Sequence, residues 1–503
     1  MTLILLAIPC LLLLGAISIR WLTNRDRRYT QIASFTMSLV LLVLLTATGL
    51  WMTDNLNHQH TWLRLSPLVF TMLCLSGLVG IIVVRFSRHY MAGEKNLQQF
   101  YSLILTALAA ISVVIMSNHM LLLIAAWMTI SITLHRLLKF YPDRPRAALA
   151  AHKKFLFARV AETALLSAAV LLWLEHDSWL ITAILTDLDN GPISQFDQIA
   201  ACLLTITAIT KCAQMPVHGW LIQVVEAPTP VSALLHAGIV NLGGFLLLNF
   251  APLIEKSTIA EIMIGVFAGT TTIIAALIMT TRVSIKVRLA WSTMAQMGLM
   301  LVEVALGLYQ LAILHLIAHS LYKAHAFLNS GNAVIDNIYQ QLAPLRAPKT
   351  YQWILAFLIA AITCVSAALL TDVMIGISPW VLMVGALTFL LAEQQPIWTI
   401  RRVRHSGLLL ITVVVSYLTL KHIAADWILP ATQPALWLDI WMSILFIILF
   451  TFGWLLKYRR DSKWIKVLYG QLYAGFYLDE WVSKLTLKFF PVQLPKSVTV
   501  ENN

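Results

Sequence analysis

Apolar runs separated by short polar and basic interruptions follow one another along almost the whole chain. Each is long enough to read as a helix crossing the roughly 30 Å hydrocarbon core of a bilayer, about 20 residues being the usual requirement. Fifteen such segments are predicted, at 2–19, 32–52, 65–84, 100–116, 119–134, 155–174, 200–225, 230–250, 260–280, 289–306, 309–329, 351–371, 379–393, 405–424 and 435–456. The pattern predicts an all-α integral membrane protein whose solvent is lipid.

Composition agrees with the pattern: 59% of residues are hydrophobic and only 12% are charged. With the N-terminus outside, 26 of the 35 Lys and Arg fall in loops assigned inside and only Arg64, Lys256 and Lys421 in loops assigned outside. That asymmetry follows the positive-inside rule and puts the C-terminus in the cytoplasm of a bacterial inner membrane. The formal charge of +12 therefore reflects topology and gives no reason to invoke nucleic acid. The N-terminus has no basic region before its apolar run, so the first span reads as retained. Cys10, Cys74, Cys202, Cys212 and Cys364 sit in apolar segments at unrelated spacings and read as small core residues, with neither a disulfide framework nor a zinc ligand set. No phosphate-cradling glycine loop is present, so the driving energy must come from a gradient or a partner.

Against this background the polar residues at membrane depth stand out. A lysine at a span centre costs about 2.5 to 3.5 kcal/mol on insertion scales, and such groups normally face a polar interior on an ion or proton path. Lys211 lies in the seventh segment, five residues before Pro216, which should interrupt the helix just after the lysine. In APTPVSALLHA, Pro228 and Pro230 break the chain, Ser232 begins a new helix, and His236 shares a face with Ser232. A histidine takes and releases a proton at little cost near neutral pH, which suits a relay. In YQLAILHLIAHSLYKAHAFLNSG, His315, His319 and Lys323 recur every four residues and form one polar stripe on an apolar helix. The two histidines could grip zinc, but the lysine next along the stripe would repel a cation. From about Lys463 onward the chain reads as an amphipathic cytoplasmic tail, with Trp464, Leu468, Leu472 and Phe476 interleaved with polar positions, suited to a membrane surface or a partner.

The segments KCAQMPVHGWL, APTPVSALLHA, KVRLAWSTMAQMGLM and HLIAHSLYKAHAFLNSG resemble signature segments of the antiporter-like family that includes subunit L of respiratory complex I and the large subunit of Mrp-type cation/proton antiporters. The resemblance implies a proton-translocating bundle built on two inverted repeats, with Lys211 as the lysine of the broken helix, His236 as the histidine after it, and His315, His319 and Lys323 as the central relay. It divides the chain into N-terminal spans (1–99), an antiporter-like core (100–393), C-terminal spans (394–456) and the tail (457–503). Family members of the complex I type carry Trp-Glu in the fifth span, where this chain has Trp127-Met128. Glu162, in FARVAE, then resembles the acidic residue that the family places one span later and becomes the expected counter-charge, with Glu226 and Glu303 as alternatives. The twelfth span lacks the second-repeat lysine and keeps only Asp372 near its end. FYPDRPRAALAAHKKFLFARVAE and GQLYAGFYLDEWVSKLTLKFFPVQLP resemble the DabB branch, the membrane subunits of DAB-type inorganic carbon transporters. That branch implies a channel for protons or another cation, without a cofactor, that energises CO2 hydration to bicarbonate. The hydration would take place on a large soluble zinc-containing DabA-like partner resembling a β-carbonic anhydrase. A respiratory or Mrp-type antiporter subunit is the alternative.

Overall fold

In the computed structural model the described residues are 2–21, 26–51, 58–59, 61–332, 347–371, 376–393 and 432–491, with isolated positions at 338, 342, 407, 408, 412, 415, 416 and 419. The first six helices are α1 (Thr2–Trp21), α2 (Asp26–Trp51), α3 (Pro67–Tyr90), α4 (Leu97–Met116), α5 (Met120–Leu138) and α6 (Pro145–His176). A short α7 (Ile181–Asn190) leads into α8 (Gln195–Lys211) and α9 (Gly219–Gln223). Next come the candidate spans α10 (Thr229–Asn249) and α11 (Thr258–Met279), then α12 (Ile285–Ala305), α13 (Tyr309–Leu328), α14 (Thr350–Thr371), α15 (Ser378–Glu393) and α16 (Leu436–Tyr458). The chain closes with α17 (Lys463–Ala474) and α18 (Leu478–Phe489). Two-residue strands, His58–Gln59 and Arg64–Leu65, pair antiparallel in the connection before α3.

Eleven of these helices are long and apolar enough to cross a membrane among the described residues. Fourteen of the fifteen predicted spans are met by helices, three of them (α8, α12 and α15) outside that eleven; the segment at 405–424 lies largely outside the described residues, as does Asp372. Large apolar side chains such as Leu14, Leu42, Phe357 and Ile362 are exposed, as lipid-facing surfaces require. Cys10 is exposed too, so it is no core residue.

The expected interruption of the seventh segment is present, and it begins directly after Lys211. Its freed backbone is satisfied by neighbours: Gln214 N donates to Ile209 O (2.9 Å) and Met215 N to Thr271 Oγ1 (3.1 Å). The Gln214 amide reaches Cys212 O (2.8 Å) and Met294 O (3.3 Å). Irregular backbone at membrane depth is tolerated only with such internal partners. Gly298 on α12 is what lets the break pack so closely, since a Cβ there would lie 2.6 Å from Gln214 Oε1 and 2.7 Å from Ala268 O.

Of the two prolines that follow, Pro230 acts differently from expectation. Pro228 is the residue before α10 and Pro230 sits in its first turn, so the helix begins at Thr229, three residues ahead of Ser232. The first turn has no intrahelical use for the missing N–H, so Pro230 fits there without breaking anything.

The tail also departs from expectation, because it folds back onto the bundle. Ile465, Leu472 and Val482 are buried, and Asp479 on α18 accepts from Lys153 Nζ on α6 (2.8 Å) and from Gln223 Nε2 on α9 (2.9 Å). Lys153 also donates to Ser483 Oγ (2.6 Å). Asp479 occupies the space a Cβ at Gly219 would need. Lys153 and Lys154, which sequence counting assigns to an inside loop, are in fact buried on α6.

Candidate functional site

The first cluster gathers where α5, α6 and α8 meet. Lys211 ends α8, a position where the helix dipole favours a cation. Its side chain is buried, and its ammonium lies 4.5 Å from the Trp127 ring centroid on α5. Such a cation–π contact compensates part of the lost hydration. Glu162 is buried on α6 and its charge acts on Lys211, but its ion pair is with Arg159 Nη2, at 2.6 Å. Glu226 is paired instead with Arg144 at 3.7 Å on a half-exposed surface. Met128 is 37% exposed and does not share the burial of its neighbour Trp127.

Lys154 is the residue that sequence reasoning missed here. It is buried on α6 and donates to the Ser131 carbonyl at 2.6 Å. Trp127, Ser131, Lys154, Thr210, Lys211 and Trp220 line one cavity of about 20 Å³. That volume suits a single water molecule.

The second cluster lies between α10, α12 and α13. Residues Leu235–Ile239 of α10 form a wide π-helical turn, a feature that recurs at functional sites. His236 stands in it, fully buried and stacked on Phe327 (centroids 4.3 Å apart). Its Nδ1 lies 3.1 Å from Thr293 Oγ1, whose own hydroxyl donates to Leu289 O at 2.9 Å. With the threonine proton on that carbonyl, His236 holds its own proton on Nδ1 and presents Nε2 as an acceptor; with the hydroxyl turned to Nδ1, the roles of the two nitrogens exchange. Among the described residues nothing hydrogen-bonds that Nε2. Lys323 is fully buried and donates to the same Leu289 carbonyl at 3.1 Å, which links it to His236 through one oxygen.

The stripe on α13 is as expected, with His319 buried and its ring 6.2 Å from that of His315. The Nε2 of His319 and the hydroxyl of Ser232 likewise have no hydrogen-bond partner among the described residues. His315 Nδ1 meets Glu303 at 2.9 and 3.1 Å and its Nε2 meets Gln296 Oε1 at 2.6 Å. Both ring nitrogens face acceptor oxygens, so this ring can hold a second proton against a buried carboxylate. Glu303 is reached because α12 and α13 run antiparallel about a tight turn at Gly307, whose φ is +69°. The clustered carboxylate, imidazoles and amine can pass protons along a mostly buried line. Among the described residues no group of three or more His, Cys, Asp or Glu could hold a metal ion.

Comparison with known proteins places these elements among relatives. The family model described as NADH:quinone oxidoreductase/Mrp antiporter, transmembrane, matches residues 117–371, and that of the complex I chain 5 N-terminus matches residues 51–101. The "Probable inorganic carbon transporter subunit DabB" of Hydrogenovibrio crunogenus is 45% identical over 97% of this chain and 95% of that protein. The "Probable inorganic carbon transporter subunit DabB2" of Halothiobacillus neapolitanus is 33% identical over 98% of this chain and 95% of that protein. NADH-ubiquinone oxidoreductase chain 5 of Pongo abelii is 31% identical over 61% of this chain and 52% of that protein. Among solved structures, a chain of the Mrp complex from Dietzia sp. DQ12-45-1b shares the fold, with a TM-score of 0.58 at 20% identity over 98% of this chain and 57% of that chain.

Proposed function

The chain belongs to the DabB family, a branch of the antiporter-like membrane subunits of complex I and Mrp type, and from that premise we propose that it conducts protons to energise inorganic carbon uptake. Lys211 carries or gates the moving charge beside the helix break. His236, His315, His319 and Lys323 form the relay, and Glu162 holds a balancing negative charge near Lys211. The N-terminus lies outside and the C-terminus in the cytoplasm of a bacterial inner membrane, which puts α9 and the tail on the inner face. A large soluble zinc-containing partner, resembling a β-carbonic anhydrase, docks on that face and turns the proton flow into one-way hydration of CO2 to bicarbonate.

The observation that carries this reading is the burial of Lys211, His236, His319 and Lys323, each under a tenth exposed, the last three on helices long and apolar enough to cross a membrane. Groups so costly to insert are kept where they serve an ion path. A respiratory subunit is the weaker reading, because the DabB of Hydrogenovibrio crunogenus is 45% identical over 97% of the chain, against 31% over 61% for the chain 5 relative. The test is Lys211→Ala in the purified complex and in cells: the complex should assemble while carbon uptake is lost. Full uptake from an assembled Lys211→Ala complex would overturn the proposal. A protonophore should likewise stop uptake when nucleotide levels are maintained.

A further inference from the structure

Lys154 and Lys211 stand on helices that pack along one another, and both line the cavity of about 20 Å³ beside Trp127. Lys154 spends one N–H on Ser131 O, and an ammonium has three to give. The other charged groups acting on the pair are Arg159 and Glu162, which pair with each other at 2.6 Å, so Glu162 offsets only part of the lysine charge. That leaves two like charges against largely apolar walls, among them Leu134, Phe157 and Ile239. Two ammonium groups lining one cavity act unfavourably on each other, so passing a proton off either one relieves the pair. A cavity with room for one water provides the bridge between them.

The geometry points to Lys154 as the residue that exchanges the transported proton with Lys211 through one water in this cavity. This rests on the reading of Lys211 as the charge carrier. In the step, an N–H of the Lys211 ammonium breaks as its proton joins the water. An O–H of that water breaks as an N–H forms on the Lys154 amine, so one proton moves and nothing else changes. Lys154 lies in the part of α6 nearer Pro145, the end that the basic loops mark as inner. It therefore stands between Lys211 and the cytoplasmic face.

The experiment reconstitutes the intact complex in proteoliposomes with a pH dye inside and compares proton flux for Lys154→Gln, Lys154→Arg, Lys154→His, Ala161→Leu and Lys211→Ala. Lys154→Gln should assemble and lose about a hundredfold in flux, the scale of a displaced proton-transfer group. Arg should fail alike, because guanidinium does not release its proton, whereas His should restore part of the flux because it titrates near neutrality. A lysine that merely tied α5 to α6 through Ser131 would give the opposite order, with Arg rescuing and His not. Ala161→Leu keeps both lysines, fills the cavity and should slow flux about tenfold or more. If Lys154→Gln does not assemble, Ala161→Leu decides. Undiminished flux in an assembled Ala161→Leu or Lys154→Arg complex overturns the inference. Flux lost in Lys211→Ala but kept in the Lys154 variants defeats this inference alone, whereas flux kept in Lys211→Ala defeats the reading beneath it.

Discussion

Helix α13 brings His315, His319 and Lys323 into the bundle, whereas α14, two residues longer, carries no histidine, lysine, arginine or acidic side chain. Their mean hydropathies are 1.2 and 2.1. The difference follows what surrounds them. Around α13, the carboxylate of Glu303 and the amide of Gln296 meet His315, and the Leu289 carbonyl of α12 meets Lys323. Around α14, Ile354, Phe357, Leu358, Ile362 and Leu369 are exposed on the lipid-facing surface. Charge is kept only where protein replaces its hydration. The comparison implies that proton movement is confined to the half of the molecule that ends at α13.

The largest effect should come from the middle of that half. Lys323→Met removes the amine that shares Leu289 O with the Thr293–His236 pair and should lower proton flux about a hundredfold or more in an assembled complex. Near-normal flux would mean that the line does not run through α13. Next in size is the Glu303–His315 pair. Glu303→Gln and His315→Gln should each cost about tenfold, and the double variant should cost little more than either, since contacting residues couple. Additive losses in flux would show that the two act separately and would weaken the contrast with α14.

These sites differ in how legible they were from sequence. The stripe on α13 follows from spacing alone, because residues four apart share a helix face whatever the tertiary structure. The break after Lys211 follows from Pro216 in the same local way. Glu303 was legible only as an alternative counter-charge for Lys211, and its pairing with His315 depends on the antiparallel packing of α12 and α13. Reading 303 and 315 outward from the glycine turn would have found it. Lys154 was hidden because a Lys-Lys doublet ahead of an apolar run reads as a loop flank, yet α6 starts at Pro145 and carries both lysines inside. Pro230 misled because a proline reads equally as a helix breaker and as a first-turn residue.

A smaller effect tests whether the tail belongs with the conducting half. Asp479→Asn leaves the buried Lys153 ammonium without its carboxylate and should cost about 1 to 3 kcal/mol, read as a lower melting temperature of the purified complex. Gly219→Ala should act in the same direction, since its Cβ would meet the Asp479 carboxylate. If neither changes thermal stability, the docking of α18 contributes nothing and the tail is free to serve a partner alone.

The smallest effect is the sharpest check on the contrast. Thr363 is the polar residue of α14 placed about midway along it, and its hydroxyl donates to Ile359 O at 2.8 Å, one turn back on the same helix. Such a bond ties the side chain to its own backbone and leaves it no part in a line between helices. Thr363→Val keeps the shape and removes donor and acceptor together, a change that is nearly neutral when no partner is orphaned, and a helix carbonyl retains its backbone bond. Proton flux should stay within about twofold of the unaltered complex, far from the hundredfold expected of a proton-transfer group. A tenfold loss at Thr363 would place a polar path through α14 after all, and the confinement of conduction to the first half would have to be given up.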